Sequence, residues 1–280
     1  DELRKLEDRC IQEQPPNCAA ACPVHVDVRA MMAEASRGNF TEAAKILRKT
    51  VPFPGIISRV CNQPCRSVCK RNEAGESLAV VSIERACIDY TIGLPAKIVV
   101  LSKKEKRIAI LGGGLSGLTA AFDLAKKGFA LTIFEKGPHL GGSLWSFPEE
   151  KLPREVLAGD LQVLEKIGVE VRLNTTVGKD IPFETPLADF DAVYVGTGAE
   201  ATDVFGLATD EAGRIAIDPV TLATGREGVF AGGSLRRTAG ESSPIHSIAD
   251  GRIAAISIDR FLQKVSLTAS RMGEGPLSTR

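Results

Sequence analysis

The spacing of apolar and polar residues divides the chain into two parts of different texture. From Arg107 onward, short apolar runs alternate with glycine turns and helical stretches, as in "RIAILGGGLSGLTAAFDLAKKGFALTIFEK". Apolar runs of this kind are typical of buried parallel strands. We expect strands at "IAIL" and "ALTIFE", and further strands at "VEVRLN", "AVYVGTG" and "GVFAGG". The pattern therefore predicts an α/β domain with a parallel sheet over residues 107–265.

The first third of the chain lacks this pattern and is interrupted by cysteines and prolines. In residues 27–50, apolar residues recur at intervals of three and four, which predicts two short helices with Asp27 and Thr41 as N-caps. We therefore expect a helical domain over residues 1–95, a linker over 96–106 and a C-terminal tail over 266–280. A further helix is expected to begin at Pro244, with Ser243 as its N-cap.

Six of the seven cysteines lie in two short stretches, "CIQEQPPNCAAACPVH" and "CNQPCRSVC". The odd count and the crowding argue against a disulfide framework, and clustered thiols indicate metal ligands. Ordinary buried thiols and disulfides stay open as alternatives. A zinc module is disfavoured by the spacing, because structural zinc sites use closely spaced pairs with four ligands per site. Cys61, Cys65 and Cys69 recur every four residues, which predicts that they share one side of a helix.

The glycine turn between the first two expected strands is the clearest binding motif. Gly112, Gly114 and Gly117 form G-x-G-x-x-G, in which glycine permits a tight turn and the close approach of a pyrophosphate. The N-terminus of the following helix stabilises the phosphate charge. Glu135 ends the next strand, 18 residues after Gly117, where a carboxylate can bind ribose hydroxyls. The motif predicts dinucleotide binding, but it does not distinguish FAD from NAD.

Charge and hydropathy exclude other classes of function. Lys plus Arg and Asp plus Glu each number 35, so the formal net charge is zero and the basic footprint of a nucleic-acid-binding protein is missing. No apolar run reaches the length of a membrane span, and no segment resembles a signal peptide. We therefore expect no nucleic-acid partner, no membrane span and a cytoplasmic location.

Residues 10–262 carry the cysteine motifs followed by a flavin-type fingerprint. With this order of motifs, the chain resembles the small subunit of bacterial glutamate synthase and the N-terminal part of dihydropyrimidine dehydrogenase. The fingerprint comprises the glycine turn together with "EKGPHLGGSL", "VYVGTGA" and "GVFAGGS". The resemblance implies a helical iron–sulfur domain followed by a Rossmann-like FAD-binding domain with a parallel sheet. It also implies FAD and two [4Fe–4S] clusters, with one cluster as the minimum.

The same resemblance implies the ligands by motif position. One cluster would bind Cys10, Cys18 and Cys69. The other would bind Cys22, Cys61 and Cys65, with Glu84 as its fourth ligand. Glu13 stands where the family has a further cysteine, so Glu13, water or Cys87 would complete the first cluster, or that cluster would be [3Fe–4S] or absent. The residues implied to contact FAD are Gly112, Gly114, Leu115, Ser116, Gly117, Glu135, Lys136, Gly142, Ser143, Leu144, Val177, Gly196, Thr197, Gly198, Gly233, Ser234 and Ile245.

Two other departures from the family bear on function. Ser234 replaces an aspartate that contacts the ribityl–phosphate region of FAD in the relatives. The relatives also place an NAD(P)H-binding domain between the Gly-Thr-Gly strand and the last strand, whereas Gly198 and Gly228 are only 30 positions apart here. We therefore expect the hydride-donor site to be missing from this chain.

The resemblance and its departures favour an electron-transfer subunit of a multi-subunit oxidoreductase. Such a subunit would relay electrons between the flavin, the clusters and a partner catalytic subunit, and a further iron–sulfur subunit is another partner that the resemblance allows. A self-contained flavin-dependent NAD(P)H oxidoreductase of the glutamate synthase small-subunit type is the alternative. A non-redox scaffold that has lost its cofactors is a third interpretation, which the retained cysteines and glycines oppose.

Overall fold

The structure is a computed structural model that describes residues 2–12, 15–94, 98–199, 205–236 and 243–271. Its contacts divide the chain into two compact units, one containing residues 2–94 and the other residues 98–271. Glu13, the start of the expected linker and the end of the expected tail lie outside the described residues. No helix in the described ranges is long and apolar enough to cross a membrane.

The N-terminal unit is helical, as its texture predicted. Its helices are α1 (Glu2–Gln12), α2 (Asn17–Ala21), α3 (Val28–Ser36), α4 (Phe40–Arg48), α5 (Pro54–Val60), α6 (Pro64–Ser67) and α7 (Val80–Tyr90). The core lies where α4 packs against α3 and α7, and α5 packs against α7. Met31, Leu47, Phe53 and Ile56 are fully buried there. Short helices such as these depend on this packing, because an isolated helix of their length is marginal in water.

The capping predictions for α3 and α4 have different outcomes. Asp27 caps α3, and its carboxylate accepts a hydrogen bond from the Ala30 amide at 3.0 Å. The prediction for Thr41 is wrong, because α4 begins at Phe40 with Asn39 in the N-cap position. Gly38 adopts a left-handed backbone with φ +80°, which reverses the chain so tightly that the next helix begins before Thr41.

The prediction that Cys61, Cys65 and Cys69 share one helix is also wrong. Helix α5 ends at Val60 with Cys61 in the C-cap position, α6 contains only Cys65, and Cys69 follows that helix. Pro64 cannot continue a helix from the residues before it, and Gln63 adopts a left-handed backbone with φ +57°. The three thiols therefore lie on separate elements that are joined by turns.

The second unit is built on a five-stranded parallel sheet, as predicted. The strands are β1 (Arg107–Leu111), β2 (Ala130–Phe134), β3 (Glu170–Arg172), β4 (Ala192–Val195) and β5 (Val229–Ala231), in the order β3-β2-β1-β4-β5. The helices of this unit are α8 (Leu115–Lys126), α9 (Arg154–Lys166), α10 (Glu184–Asp189) and α11 (Pro244–Leu262). The carboxyl ends of all five strands meet at one edge, because every neighbouring pair is parallel.

The two faces of the sheet are covered differently. Helix α8 contacts β1, β2 and β4, and α11 contacts β4, β5 and, most extensively, α8. Alternate strand residues, including Leu111 and Val195, form a second core with apolar residues from the connections, among them Phe183, Leu207 and Ile215. Residues 205–228 lie between β4 and β5 in the chain and form short antiparallel bridges, one of which pairs Ala223 with Phe230 of β5. This segment therefore serves as a cover for the sheet.

The contact between α8 and α11 depends on Gly251. A Cβ atom at this position would lie 2.4 Å from the carbonyl oxygen of Ser116 and 2.7 Å from Cβ of Thr119. Such distances are shorter than van der Waals contact, so only glycine allows the two helices to approach this closely. Ser243 caps α11 by accepting a hydrogen bond from the amide of His246, as predicted.

Replacement of Gly251 by alanine is expected to destabilise the protein by about 1–3 kcal/mol, because the added methyl group overpacks the α8–α11 contact. Gly159 in α9 provides the matched control, since a Cβ atom there meets no atom within 4 Å. The alanine variant at Gly159 should be neutral or more stable by up to about 1 kcal/mol. Denaturant unfolding of both variants measures the difference. Equal effects would show that the close approach has no energetic importance.

Candidate functional site

The glycine turn after β1 combines two glycines that the fold requires with one that faces open space. A Cβ atom at Gly112 would lie 2.5 Å from the carbonyl oxygen of Gly196, and one at Gly117 would lie 2.1 Å from the carbonyl oxygen of Gly112. A Cβ atom at Gly114 would meet no atom within 4 Å. Gly112 and Gly117 therefore bring the turn, the helix and β4 together, while Gly114 leaves room for a ligand to approach the backbone.

The first turn of α8 has the properties of a phosphate site. Gly114 is the N-cap and has no side chain to bond the first amides of this 12-residue helix. The amides at a helix N-terminus carry positive partial charge and attract phosphate. Gly142 lies against the same turn, since a Cβ atom on it would be 3.2 Å from Cα of Gly114. The turns at Gly114 and Gly142 thus flank the same space.

Glu135 lies immediately after β2 and is 7% exposed. Its Oε2 accepts a hydrogen bond from the Gly113 amide at 2.6 Å, and its Oε1 accepts one from the Gly137 amide at 2.7 Å. The two bonds fix the carboxylate beside the glycine turn. Each carboxylate oxygen has a further lone pair that can accept a ribose hydroxyl.

The other residues expected to bind FAD are distributed between the carboxyl edge of the sheet and the core. Gly196, Thr197 and Gly198 follow β4, and Gly233 and Ser234 follow β5, so they lie at the carboxyl edge of the sheet, where α/β proteins bind ligands. Lys136 follows β2, and Gly142 and Ser143 begin the 3-10 helix Gly142–Ser146; all three are exposed. Leu115, Leu144, Val177 and Ile245 have buried side chains, between 1% and 8% exposed. These four side chains pack in the core, so only their backbone atoms are suited to contact a cofactor.

Ser116 has a structural role that its place in the motif did not reveal. It is 4% exposed, and its hydroxyl forms a short hydrogen bond with the hydroxyl of Tyr194, which is fully buried on β4. Sequence reasoning missed Tyr194, because an aromatic residue within an apolar strand is typical of a core. The bond ties the first turn of α8 to the centre of the sheet.

Asp250 was also missed by sequence reasoning. It is 1% exposed on α11, and its Oδ2 accepts a hydrogen bond from the Gly233 amide at 2.9 Å. Its Oδ1 accepts one from Nη1 of Arg236 at 3.2 Å. The sequence did contain a signal for it: a carboxylate within "HSIADGRIAA", a stretch whose apolar residues predict a buried helix.

The first group of cysteines brings together three residues that are distant in the sequence. Burial raises the pKa of Cys18 to about 11, and the neighbouring thiolates of Cys10 and Cys69 also raise it. A salt bridge of 2.9 Å between Arg9 and Glu73 joins α1 to the turn that follows Cys69. Cys10 and Cys69 thus lie close enough to Cys18 to raise its pKa.

The second group contains Cys22, Cys61, Cys65 and Glu84. Burial, together with the charges of Glu84, Cys61, Cys22 and Cys18, raises the pKa of Cys65 to about 12. The pKa of Cys61 is raised to about 11, mainly by burial and also by Glu84 and Cys22. The two groups contain the residues of the two ligand sets that the family resemblance implies, and the assignment of each thiol to one cluster stays a prediction. Cys87 is fully buried and lies about one helical turn after Glu84. Its pKa is raised mainly by burial and, to a smaller extent, by the charge of Glu84.

The side chains around the second group of cysteines are better suited to a bound, positively charged group than to a closed protein core. Glu84 is 6% exposed, makes no hydrogen bond or ion pair with another described residue, and has its pKa raised to about 7 by burial. A buried carboxylate without a partner is costly. His25, in the turn after Cys22, places Nδ1 3.0 Å from the Ala19 carbonyl oxygen, while its buried Nε2 has no partner among the described residues.

No group of three or more His, Cys, Asp or Glu side chains in the described ranges is arranged to hold a single metal ion. An iron–sulfur cluster makes a different demand, because its cysteine thiolates bind separate iron atoms. Thiolates that serve one cluster therefore stand farther apart than ligands that share one ion.

Comparison with known families matches each half of the chain separately. Residues 2–94 match the family described as dihydropyrimidine dehydrogenase domain II, 4Fe-4S cluster. Residues 110–159 match the NAD(P)-binding Rossmann-like domain. The first match covers both cysteine groups, and the second covers the glycine turn, Glu135 and the Gly141–Gly142 turn.

Several curated proteins are similar to most of the chain. The NADP(+)-dependent formate dehydrogenase subunit beta of Moorella thermoacetica is 32% identical over 70% of this chain and 31% of its own length. The NADPH-Fe(3+) oxidoreductase subunit beta of Geobacter sulfurreducens is 31% identical over 73% of this chain and 31% of its own length. The glutamate synthase [NADPH] small chain of Escherichia coli is 31% identical over 73% of this chain and 44% of its own length.

The matches therefore cover between 31% and 44% of the length of these three relatives. Within that part, the order of the two domains agrees with the order of the two units in the structure. The chain is homologous to the glutamate synthase small chain and to formate dehydrogenase beta subunits, and it joins a 4Fe–4S domain of the dihydropyrimidine dehydrogenase type to a Rossmann-like domain of the NAD(P)-binding type.

Proposed function

We propose that the chain is an electron-transfer subunit that binds FAD and two [4Fe–4S] clusters and relays electrons to or from a partner catalytic subunit. The observation that carries this proposal is the presence, in one chain, of two groups of buried and half-buried thiols and of a glycine turn that opens toward free space at Gly114. The relatives named above are subunits of oxidoreductases, which supports the same class of function. A further iron–sulfur subunit is part of the proposed complex, and the proposed location is the cytoplasm.

The proposed FAD site uses the carboxyl edge of the sheet. The first amides of α8 would hold the pyrophosphate, and Glu135 would hold the ribose of the adenosine half through the lone pairs that its two amide contacts leave free. The turns that follow β4 and β5 lie at the same edge and would flank the remainder of the cofactor. When bound, FAD can exchange two electrons with one partner and single electrons with iron–sulfur clusters.

The proposed cluster sites use the two groups of thiols. Cys10, Cys18 and Cys69 would hold one cluster, and Cys22, Cys61 and Cys65 would hold the other with Glu84. Thiolates bind iron, and the metal's positive charge would favour deprotonation of Cys18, Cys61 and Cys65, whose pKa values burial raises. Whether Glu13 completes the first cluster stays a prediction.

The proposed absence of a hydride-donor site follows from the segment between Gly198 and Gly228. The described part of this segment, from residue 205, forms short antiparallel bridges, and Leu207 and Ile215 pack into the core of the sheet. A second Rossmann-type unit needs at least two strands joined by a crossover helix, for which 30 positions are too few. Electrons would therefore enter or leave through a partner protein.

A self-contained NAD(P)H oxidoreductase is the second candidate function. The match of residues 110–159 to an NAD(P)-binding domain favours it, because the glycine turn itself would then bind the nicotinamide cofactor. The two proposals differ in which dinucleotide occupies the same turn. They are separated by the cofactor that the purified protein retains and by its reaction with NADH or NADPH.

Replacement of Gly114 by leucine is expected to reduce the FAD content at least about tenfold without unfolding the protein. The backbone there has φ −79°, which any residue can adopt, and the new side chain enters open space instead of the core. The side chain would occupy the space that the pyrophosphate needs. Flavin released by acid is measured per chain, and Gly159→Leu, at a second glycine that faces open space, serves as the control. Full flavin content in the Gly114 variant would contradict the assignment.

Anaerobically purified protein is expected to contain about eight iron and eight sulfide per chain, because each of two [4Fe–4S] clusters contributes four of each. Cys65→Ser should remove one cluster. Cys87→Ala, at a buried cysteine, should retain both clusters if Glu13 or water completes the first one, and should affect only the first cluster if Cys87 is its fourth ligand. Iron and sulfide analysis with electron paramagnetic resonance measures the outcome. About four iron would mean that one site is incomplete, and zinc without sulfide would refute the proposal.

NADH and NADPH are expected not to reduce the isolated chain, because hydride transfer needs the nicotinamide held within about 3–3.5 Å of the flavin. Dithionite should reduce both flavin and clusters, since a small reductant needs no docking domain. Rapid-mixing absorbance at the flavin band compares the three reductants. Fast and saturable bleaching by either nicotinamide would favour the self-contained oxidoreductase instead.

A further inference from the structure

Asp250 is a buried carboxylate that connects α11 to the turn after β5. It is 1% exposed, and its two oxygens have different partners: the backbone amide of Gly233 at 2.9 Å and the guanidinium of Arg236 at 3.2 Å. Both partners lie in the short 3-10 helix Gly233–Arg236 that directly follows β5. A single side chain therefore holds both ends of that turn.

The turn that Asp250 holds is pressed against the first turn of α8. Gly233 has a left-handed backbone with φ +81°, and a Cβ atom on it would lie 2.8 Å from Cβ of Ser116. Gly251, the residue after Asp250, also packs against Ser116, because a Cβ atom on it would lie 2.4 Å from the Ser116 carbonyl oxygen. A shift of α11 or of the turn would therefore move the α8 terminus that carries Gly114.

Stability alone is a weak explanation for this arrangement. Burying two charges costs desolvation energy that their attraction offsets only when the geometry is good, and apolar residues of similar size are often at least as stabilising. The pair at Asp250 and Arg236 is unequally buried, with side-chain exposures of 2% and 23%. A buried carboxylate with a fixed backbone partner is better suited to setting the position of that backbone.

We propose that Asp250 is a positioning residue for the cofactor. It fixes the position of the Gly233–Ser234 backbone relative to the first turn of α8, and Arg236 holds its carboxylate in place. The inference rests on the proposed function, because it assumes that this edge of the sheet binds FAD. The geometry links Asp250 to the edge through Gly233 and Ser116, so the residue acts through the backbone and without contact to the reacting atoms.

The charge of Asp250 has a second consequence for a bound flavin. Reduction of a flavin adds negative charge, and a buried carboxylate nearby opposes it more strongly than the same charge in water would. Arg236 offsets part of this effect. Loss of the carboxylate would therefore favour the reduced flavin, whereas a role confined to stability would leave the midpoint potential unchanged.

The test compares Asp250→Asn with the double variant Asp250→Asn/Arg236→Gln. The single variant keeps the size of the side chain but leaves Arg236 without its charged partner. The double variant removes both charges, so it preserves the fold if the unpaired guanidinium unfolds the single variant. Asp259→Asn is the matched control, because Asp259 lies on the same helix, is 9% exposed and pairs with Lys104 and Lys127 away from this edge.

Each purified protein is stripped of flavin and titrated with FAD, and the flavin midpoint potential and the melting temperature are measured. We expect both Asp250 variants to bind FAD at least about tenfold more weakly. The single variant should also have a more positive midpoint potential. The Asp259 variant should melt at a lower temperature but keep the affinity and potential of the wild type.

Affinity within twofold of the wild type and an unchanged potential in both Asp250 variants would overturn the inference. An equal loss of affinity in the Asp259 variant would also overturn it, since the effect would then be one of general stability. A wild-type chain that binds no FAD at all would refute the proposed function, and the inference with it. That outcome is recognised before any variant is compared.

Discussion

The close approach of α8 to its neighbours is the constraint on which the carboxyl edge of the sheet depends. Gly112, Gly117 and Gly251 each occupy a position where a Cβ atom would lie 2.5 Å or less from a backbone oxygen. Because no side chains intervene, the helix packs directly on β4 and α11, and its first amides come to the level of the strand ends. Larger residues at any of these positions would move the helix and its first amides away from the strand ends.

A different balance governs the N-terminal unit. Burial is the largest cause of the raised pKa values of Cys18, Cys61, Cys65 and Glu84. An apolar core gains nothing from a carboxylate without a partner. A bound cluster would reverse this cost, since its iron atoms would supply the positive charge that the described side chains do not supply to Glu84. In this view the unit is built around a cofactor, and its short helices serve to present ligands at their ends.

The division into two units corresponds to a division of chemistry. One unit offers sulfur and carboxylate donors, and the other offers backbone amides and a fixed carboxylate beside an open glycine turn. The segment between β4 and β5 closes the face of the sheet with Leu207 and Ile215. It thus stabilises the second unit at the point where the family resemblance leads one to expect an additional domain.

The sequence alone determined the features that depend on local order. Residues that are neighbours in the chain determine the glycine turn, the strands and the caps at Asp27 and Ser243. The physical causes of these features can therefore be inferred from the sequence. The grouping of the six cysteines was available only through the resemblance to a family, and local spacing misled where Pro64 and Gln63 break the expected helix. Tertiary structure alone decided that Ser116 bonds Tyr194 and that Asp250 holds Gly233, because those pairs are 78 and 17 residues apart. Periodicity reports which side of an element is buried, but it carries no information about which distant group a buried polar atom will meet.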